Sequence, residues 1–124
     1  MQIRTAQVAA ALLDPLFSGR EREFVATLHL DQEQRLLALT VERVGEREAA
    51  ELPAAEILAK ALRIGASAVV VAHNHPSGRT EPSEQDLAAT RHFAETAARV
   101  GIRVHDHLIV AGGAWQSFRA LGLL

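Results

Sequence analysis

The 124-residue chain has no cysteine and no tyrosine, one methionine, one tryptophan, and a single lysine among 13 basic residues. Each scarcity removes a class of function. Without thiols there is no disulfide framework, no redox dithiol and no thiolate metal site. With aromatics at 4% there is no platform on which nucleic-acid bases could stack. A net charge of −2 lacks the basic excess that drives binding to a phosphate backbone, although twelve arginines could still gather on one face. No apolar run approaches the roughly 18 residues of a membrane span, and nothing resembles a signal peptide, so a cytoplasmic protein without membrane attachment is expected.

What is present is a globular composition, 48% hydrophobic. At this length one domain over residues 1–124 can bury about two-thirds of its unfolded surface. Thr5 suits the N-cap of a short amphipathic helix through Val8, Ala9, Leu12 and Leu13, which Asp14-Pro15 is expected to stop. Phe24, Ala26, Leu28 and Leu30 then alternate with Val25, Thr27 and His29. Asp31 to Gln34 turns this strand into a partner from Leu36 to Val41. The polar stretch from Glu42 to Glu51 reads as a loop with part of a third strand, and a helix begins after Pro53. Ala68-Val69-Val70-Val71-Ala72 reads as a strand buried on both faces. A long helix from Ser83 to Val100, closed by Gly101, precedes a strand from Ile102 to Val110 and a turn at Gly112-Gly113. There is no internal repeat. The pattern predicts an α/β domain with a central mixed β-sheet flanked by helices.

The chemistry concentrates where the buried strand ends, at His73-Asn74-His75-Pro76, with Asp86 following eleven residues after His75. Alternation along a strand sends His73 and His75 to one face. On a 3.6-residue wheel, Asp86 shares a face with Ala89, Thr90, Phe93, Ala97 and Val100, the face turned to the core. A carboxylate heading an apolar stripe needs a cation, a hydrogen-bond network or an escape to solvent. A metal shared with the two histidines would meet that need, and two imidazoles with one carboxylate leave a fourth tetrahedral position open, as in catalytic zinc sites. Ordinary uses compete with this reading. A His-x-His pair at a strand end is commonly a hydrogen-bonding or exposed pair, and Ser83 with Asp86 also fits a helix cap with an acidic third residue. Neither explains why an inward carboxylate follows two same-face histidines at loop distance.

His73-Asn74-His75-Pro76-Ser77-Gly78, then Glu81-Pro82-Ser83 and Asp86, resembles the JAMM (MPN-plus) metallopeptidase motif in the form carried by RadC proteins. The resemblance extends to Arg22-Glu23-Phe24 with Leu30-Asp31, Ala61-Leu62 with Ala66-Ser67-Ala68, Asp106-His107-Leu108-Ile109-Val110, and Ser117-Phe118. It implies the JAMM-type α/β sandwich, with zinc held by His73, His75 and Asp86. It further implies Glu23 as the acid/base acting on water and Ser83 as a holder of the oxyanion. On residues alone, the charged run Gly19 to Glu23 is an ordinary solvated turn that does not choose between Glu21 and Glu23, and Ser83 has the commoner use of capping its own helix.

A second His-x-His, His105 and His107 around Asp106, has no third ligand at a recognisable spacing, and hydrogen bonding or support behind the ligands suits it better. His29 and His92 stand alone and read as surface or core-edge residues. RadC proteins are usually longer, with an N-terminal helix-hairpin-helix region for which this chain has no room, so the expectation is the metallopeptidase-like domain alone. Leu52-Pro53-Ala54-Ala55-Glu56 also lacks the His and Arg that commonly flank the proline in the family. The function expected is zinc-dependent hydrolysis of a peptide or isopeptide bond in a peptide or protein substrate. The alternative is a RadC-type DNA-repair or mobile-element accessory protein that acts by interaction, in which DNA contact is possible but unsupported by charge. The apolar ends, Met1 to Phe17 and Leu121 to Leu124, are candidates for a homodimer interface.

Overall fold

The computed structural model describes residues 1–19, 22–43, 52–75 and 77–124. Glu21, Pro76 and the expected third strand within 44–51 lie outside the described residues. The elements are α1 (Ala6–Phe17), β1 (Phe24–Leu30), β2 (Leu36–Arg43), α2 (Ala54–Ile64), β3 (Ala68–Asn74), α3 (Glu84–Arg99), β4 (Arg103–Ala111) and β5 (Ala114–Ser117). The five strands form one sheet in the order β2-β1-β3-β4-β5. β3 and β4 are parallel and every other neighbouring pair is antiparallel. A parallel pair needs a long crossover, and α3 provides it.

The mixed sheet flanked by helices is therefore the architecture expected from the sequence. β3 is central and all seven of its residues are buried, because helices cover both faces. On one face, α1 packs Ala9, Leu13 and Phe17 against Ala26, Leu28, Val70 and Leu108. On the other, α2 and α3 pack Ile57, Ala61, Phe93 and Ala97 against Val25, Val69 and Val71. β1 is likewise buried throughout, so its alternation of residue types sorts side chains between two cores, not between core and solvent. Among the described residues no helix is long and apolar enough to cross a membrane.

Several expectations are corrected. α1 does not stop at Asp14-Pro15 but runs through Pro15 to Phe17. The lost N–H costs one bond, while Phe17 is buried and stacks on Phe24 with ring centroids 4.5 Å apart, which holds the last turn in place. The second hairpin strand extends past Val41 to Arg43. His29 is neither surface nor core edge. It is fully buried in β1, with Nε2 bonded to Thr40 Oγ1 at 2.8 Å, whereas His92 is exposed. Val100, expected on the inward face of α3, lies past the last helical residue and is 42% exposed. The turn at Gly112-Gly113 is as expected, with both residues at positive φ between paired Ala111 and Ala114, the backbone that a two-residue hairpin turn requires.

Candidate metal centre

His73 is the last residue of β3 paired with β1, and His75 lies just beyond the strand. Alternation puts both on the face covered by α2 and α3. α3 opens with Ser83 as N-cap, and Asp86, its third residue, is buried. His73 Nε2 lies 3.0 Å from His75 Nε2 and 3.5 Å from Asp86 Oδ1, and His75 Nε2 lies 3.3 Å from Asp86 Oδ2. A tetrahedral zinc site with bonds of about 2.0–2.2 Å has edges of about 3.4 Å between its donors. The two imidazole nitrogens and the Asp86 carboxylate, one oxygen of which lies near each ring, are thus spaced about as such donors are, and two imidazoles with a carboxylate match the donor chemistry of open zinc centres.

The remaining ring atoms are held so that Nε2 faces the cluster. In both rings Nδ1 is engaged by a partner outside the cluster. His75 Nδ1 donates to the Arg79 carbonyl at 2.9 Å, and His73 Nδ1 and His107 Nε2 share a hydrogen bond of 2.7 Å. His107 Nδ1 is in turn hydrogen-bonded to Thr90 Oγ1 at 2.6 Å. Outer partners of this kind fix the tautomer and direction of a ligating imidazole. His107 is buried and stacked on Phe118, with centroids 4.4 Å apart and ring planes 12° apart. Burial, with a contribution from His73, pushes its pKa well below the ordinary histidine value, so it faces His73 as a neutral ring.

Asp86 is held by its own helix. Its Oδ2 accepts from Ser83 N–H at 2.9 Å while Ser83 Oγ accepts from Asp86 N–H at 3.0 Å, a capping box. Burial alone would raise the Asp86 carboxyl, but hydrogen bonds from His73, His75 and the Ser83 amide outweigh it and hold the group far below the usual carboxylate range. The hydrogen bond to Asp86 raises His75 above its ordinary value against the opposing effect of burial. The cap and the donor set thus share one carboxylate, so the two sequence interpretations of Ser83 and Asp86 do not compete.

Glu23 sits one residue before β1, half-buried, on the same face as Val25, which pairs with His73. Burial raises its carboxyl above the ordinary value while the nearby His73 and His75 pull it down. Its Oε2 is buried and has no hydrogen-bond partner among the described residues. A cleft of about 440 Å³ is lined by Asp14 and Phe17 of α1, Asn74 and the Gly112-Gly113 turn, and of the three candidate ligands only His75 borders it.

The second His-x-His divides its duties. His107 stands behind His73, whereas Asp106 is structural: its carboxylate accepts from His107 N–H, Ser117 Oγ and Arg119 N–H at 2.7, 2.6 and 3.0 Å. His105 is buried away from the cluster, and burial, helped by Arg119 and Arg103, lowers its pKa. The sequence reading missed Thr90 as a partner, although it lies four residues after Asp86 on the same helix face. It also missed the use of Asn74, for which the sequence carries no signal.

A family model described as the RadC-like JAB domain matches residues 3–123. A UPF0758 protein of Alcanivorax borkumensis is 40% identical over 114 residues, 92% of this chain and 51% of its own length. The UPF0758 protein YfjY of Escherichia coli is 39% identical over 120 residues, 97% of this chain and 75% of its own. A third, UPF0758 protein PBPRA0202 of Photobacterium profundum, is 41% identical over 112 residues. The chain spans about half the length of the first and third of these relatives. The match runs from the first buried residue, Ile3, to the penultimate one and takes in the whole donor set, and on it the chain belongs to the RadC-like JAB domain family.

Proposed function

We propose that this domain is a zinc-dependent hydrolase that cleaves a peptide or isopeptide bond, with Glu23 as general acid/base. The observation that carries the reading is the convergence of His73, His75 and Asp86 at metal-ligand spacing, with outer hydrogen bonds that occupy each imidazole Nδ1 and turn Nε2 to the cluster. Zinc held there would supply Lewis acidity and a water activated near neutral pH.

The chain's own groups have complementary tasks. Glu23 has a buried oxygen without a hydrogen-bond partner among the described residues and a carboxyl raised by burial, which suits it to take a proton and return it to a leaving amine. Ser83 Oγ accepts the Asp86 amide, and its hydroxyl proton has no acceptor among the described residues, so it can donate to an oxyanion while capping the helix. The cleft beside His75 offers a path for an extended substrate.

The test is elemental analysis of protein purified without added metal, beside His75→Ala and Asp86→Ala. One zinc per native chain, lost in both variants, is expected. Glu23→Gln should keep the zinc and lose hydrolysis, and turnover persisting in that variant would remove Glu23 from the role.

A further inference from the structure

Asn74 lies between the two histidines in sequence but on the opposite face of β3, so it cannot share a metal with them. Its side chain turns to the segment that carries Glu23. Oδ1 accepts from the Phe24 N–H at 3.0 Å, and Nδ2 donates to the Arg22 carbonyl at 3.0 Å. The two bonds bracket Glu23 from both sides along the backbone.

The sheet explains why a side chain is used here. The β1–β3 ladder runs from Leu30↔Ala68 to Val25↔His73 and ends there. A carboxamide carries the donor and acceptor of a peptide group, so Asn74 extends the pairing by one step past the last backbone pair. It is only 4% exposed, and its bond to the Phe24 N–H is buried, where water competes least. Glu23 precedes the first strand residue, and its Oε2 is buried with no hydrogen-bond partner among the described residues. With that oxygen unpartnered among the described residues, the carboxyl takes its aim from the backbone that carries it.

We propose that Asn74 is a positioning residue that aims the Glu23 carboxyl at the His73, His75 and Asp86 centre by clamping the backbone on both sides of it. The role of Glu23 as acid/base is taken from the proposed function, but the clamp can be tested apart from hydrolysis.

The experiment uses the full chain loaded with zinc, as wild type, Asn74→Ala and Asn74→Asp. Asp has nearly the same size and keeps the acceptor for Phe24 N–H but cannot donate to the Arg22 carbonyl, so it serves if the Ala variant fails to fold. Both variants are expected to hold one zinc per chain. By NMR, hydrogen exchange at the Phe24 amide should accelerate by about tenfold or more in Asn74→Ala, the loss of one buried bond. The ¹³C signal of the Glu23 carboxyl, assigned through Glu23→Gln, should shift on zinc addition in wild type and lose most of that response in Asn74→Ala, with an intermediate response in Asn74→Asp. Hydrolysis of fluorescein-labelled casein, used as a general peptide probe, should fall up to ~100-fold, as for a misplaced catalytic group.

A Glu23 signal that responds to zinc as in wild type, whatever the exchange at Phe24, would overturn the proposal, because Asn74 would then hold the strand and not the carboxyl. Loss of zinc from Asn74→Asp would also overturn it, because the effect would pass through the ligands. If the wild type cleaves nothing, the proposed function fails, while the exchange and carbon signals still decide the clamp.

Discussion

His107 Nε2 lies 2.7 Å from His73 Nδ1, so a buried histidine stands directly behind a donor of the candidate metal centre. The two rings meet edge to face, with centroids 4.8 Å apart, and His107 is itself held by Thr90 and Phe118. The bond leaves His73 a single nitrogen for the metal and sets its direction. Replacing His107 by Phe keeps an aromatic ring but removes the hydrogen-bonding nitrogen. Zinc affinity, read by competition with a chromophoric chelator, should fall about 10–100-fold. Thr90→Val should lower it by less, since it leaves His107 in place. Unchanged affinity in both would mean that packing alone orients His73.

Ser83 separates two roles that one substitution would confound. Ser83→Ala removes the side-chain acceptor of the capping box, and urea denaturation should show a loss of about 1 kcal/mol. Ser83→Asn keeps a capping acceptor but has no hydroxyl. It should hold most of the stability while losing ~100-fold or more in turnover if the hydroxyl serves the oxyanion. Equal turnover in Ser83→Asn and wild type would leave the serine as a cap alone.

Acid should weaken the fold through histidines remote from the metal centre. His29 is fully buried, and burial, with Lys60 nearby, lowers its pKa below the ordinary 6.5. A lowered folded-state pKa means that the unfolded chain binds the proton more readily. The stability from neutral His29 is therefore fully present above pH 6.5 and is lost as pH falls through the lower, folded-state value. Urea midpoints of metal-free protein should drop between pH 7 and 5, and His29→Gln should flatten part of that drop. A His29→Gln profile parallel to wild type would refute this assignment.

Pro15 sits inside α1, where it cannot donate to the carbonyl four residues back. Relative to alanine this costs about 3 kcal/mol in a helix interior, offset by up to about 1 kcal/mol because proline restricts the unfolded chain. Pro15→Ala should therefore raise unfolding stability by about 2 kcal/mol, measured as a higher urea midpoint at constant slope. No gain would mean that the last turn of α1 is set by the Phe17–Phe24 stack and carries little of the helix penalty.

These cases show where the sequence was legible. Ala68 to Ala72 announced a doubly covered strand because five consecutive apolar residues leave no polar face, and the spacing of His73, His75 and Asp86 is a local matter of strand and helix periods. The failures involve partners distant in sequence. Pro15 reads as a stop unless the stack of Phe17 on Phe24 is known, and His29 reads as unremarkable unless Thr40 is known to face it across the hairpin. The duty of His107 stayed open for the same reason: its register beside Val71 exists only once β4 has paired with β3.

The contacts that complete the centre are long ones. Phe24 reaches Asn74 across 50 positions, and His73 reaches His107 across 34. Ring closure over such distances comes after local structure in folding, because its entropy must be overcome before the contact forms. Made from its N-terminus, the chain exposes His73, His75 and Asp86 before β4 exists, so the donors are synthesised earlier than the ring that aligns them. Assembly order thus leaves the trio adaptable until the parallel strand β4 docks and brings His107 behind His73.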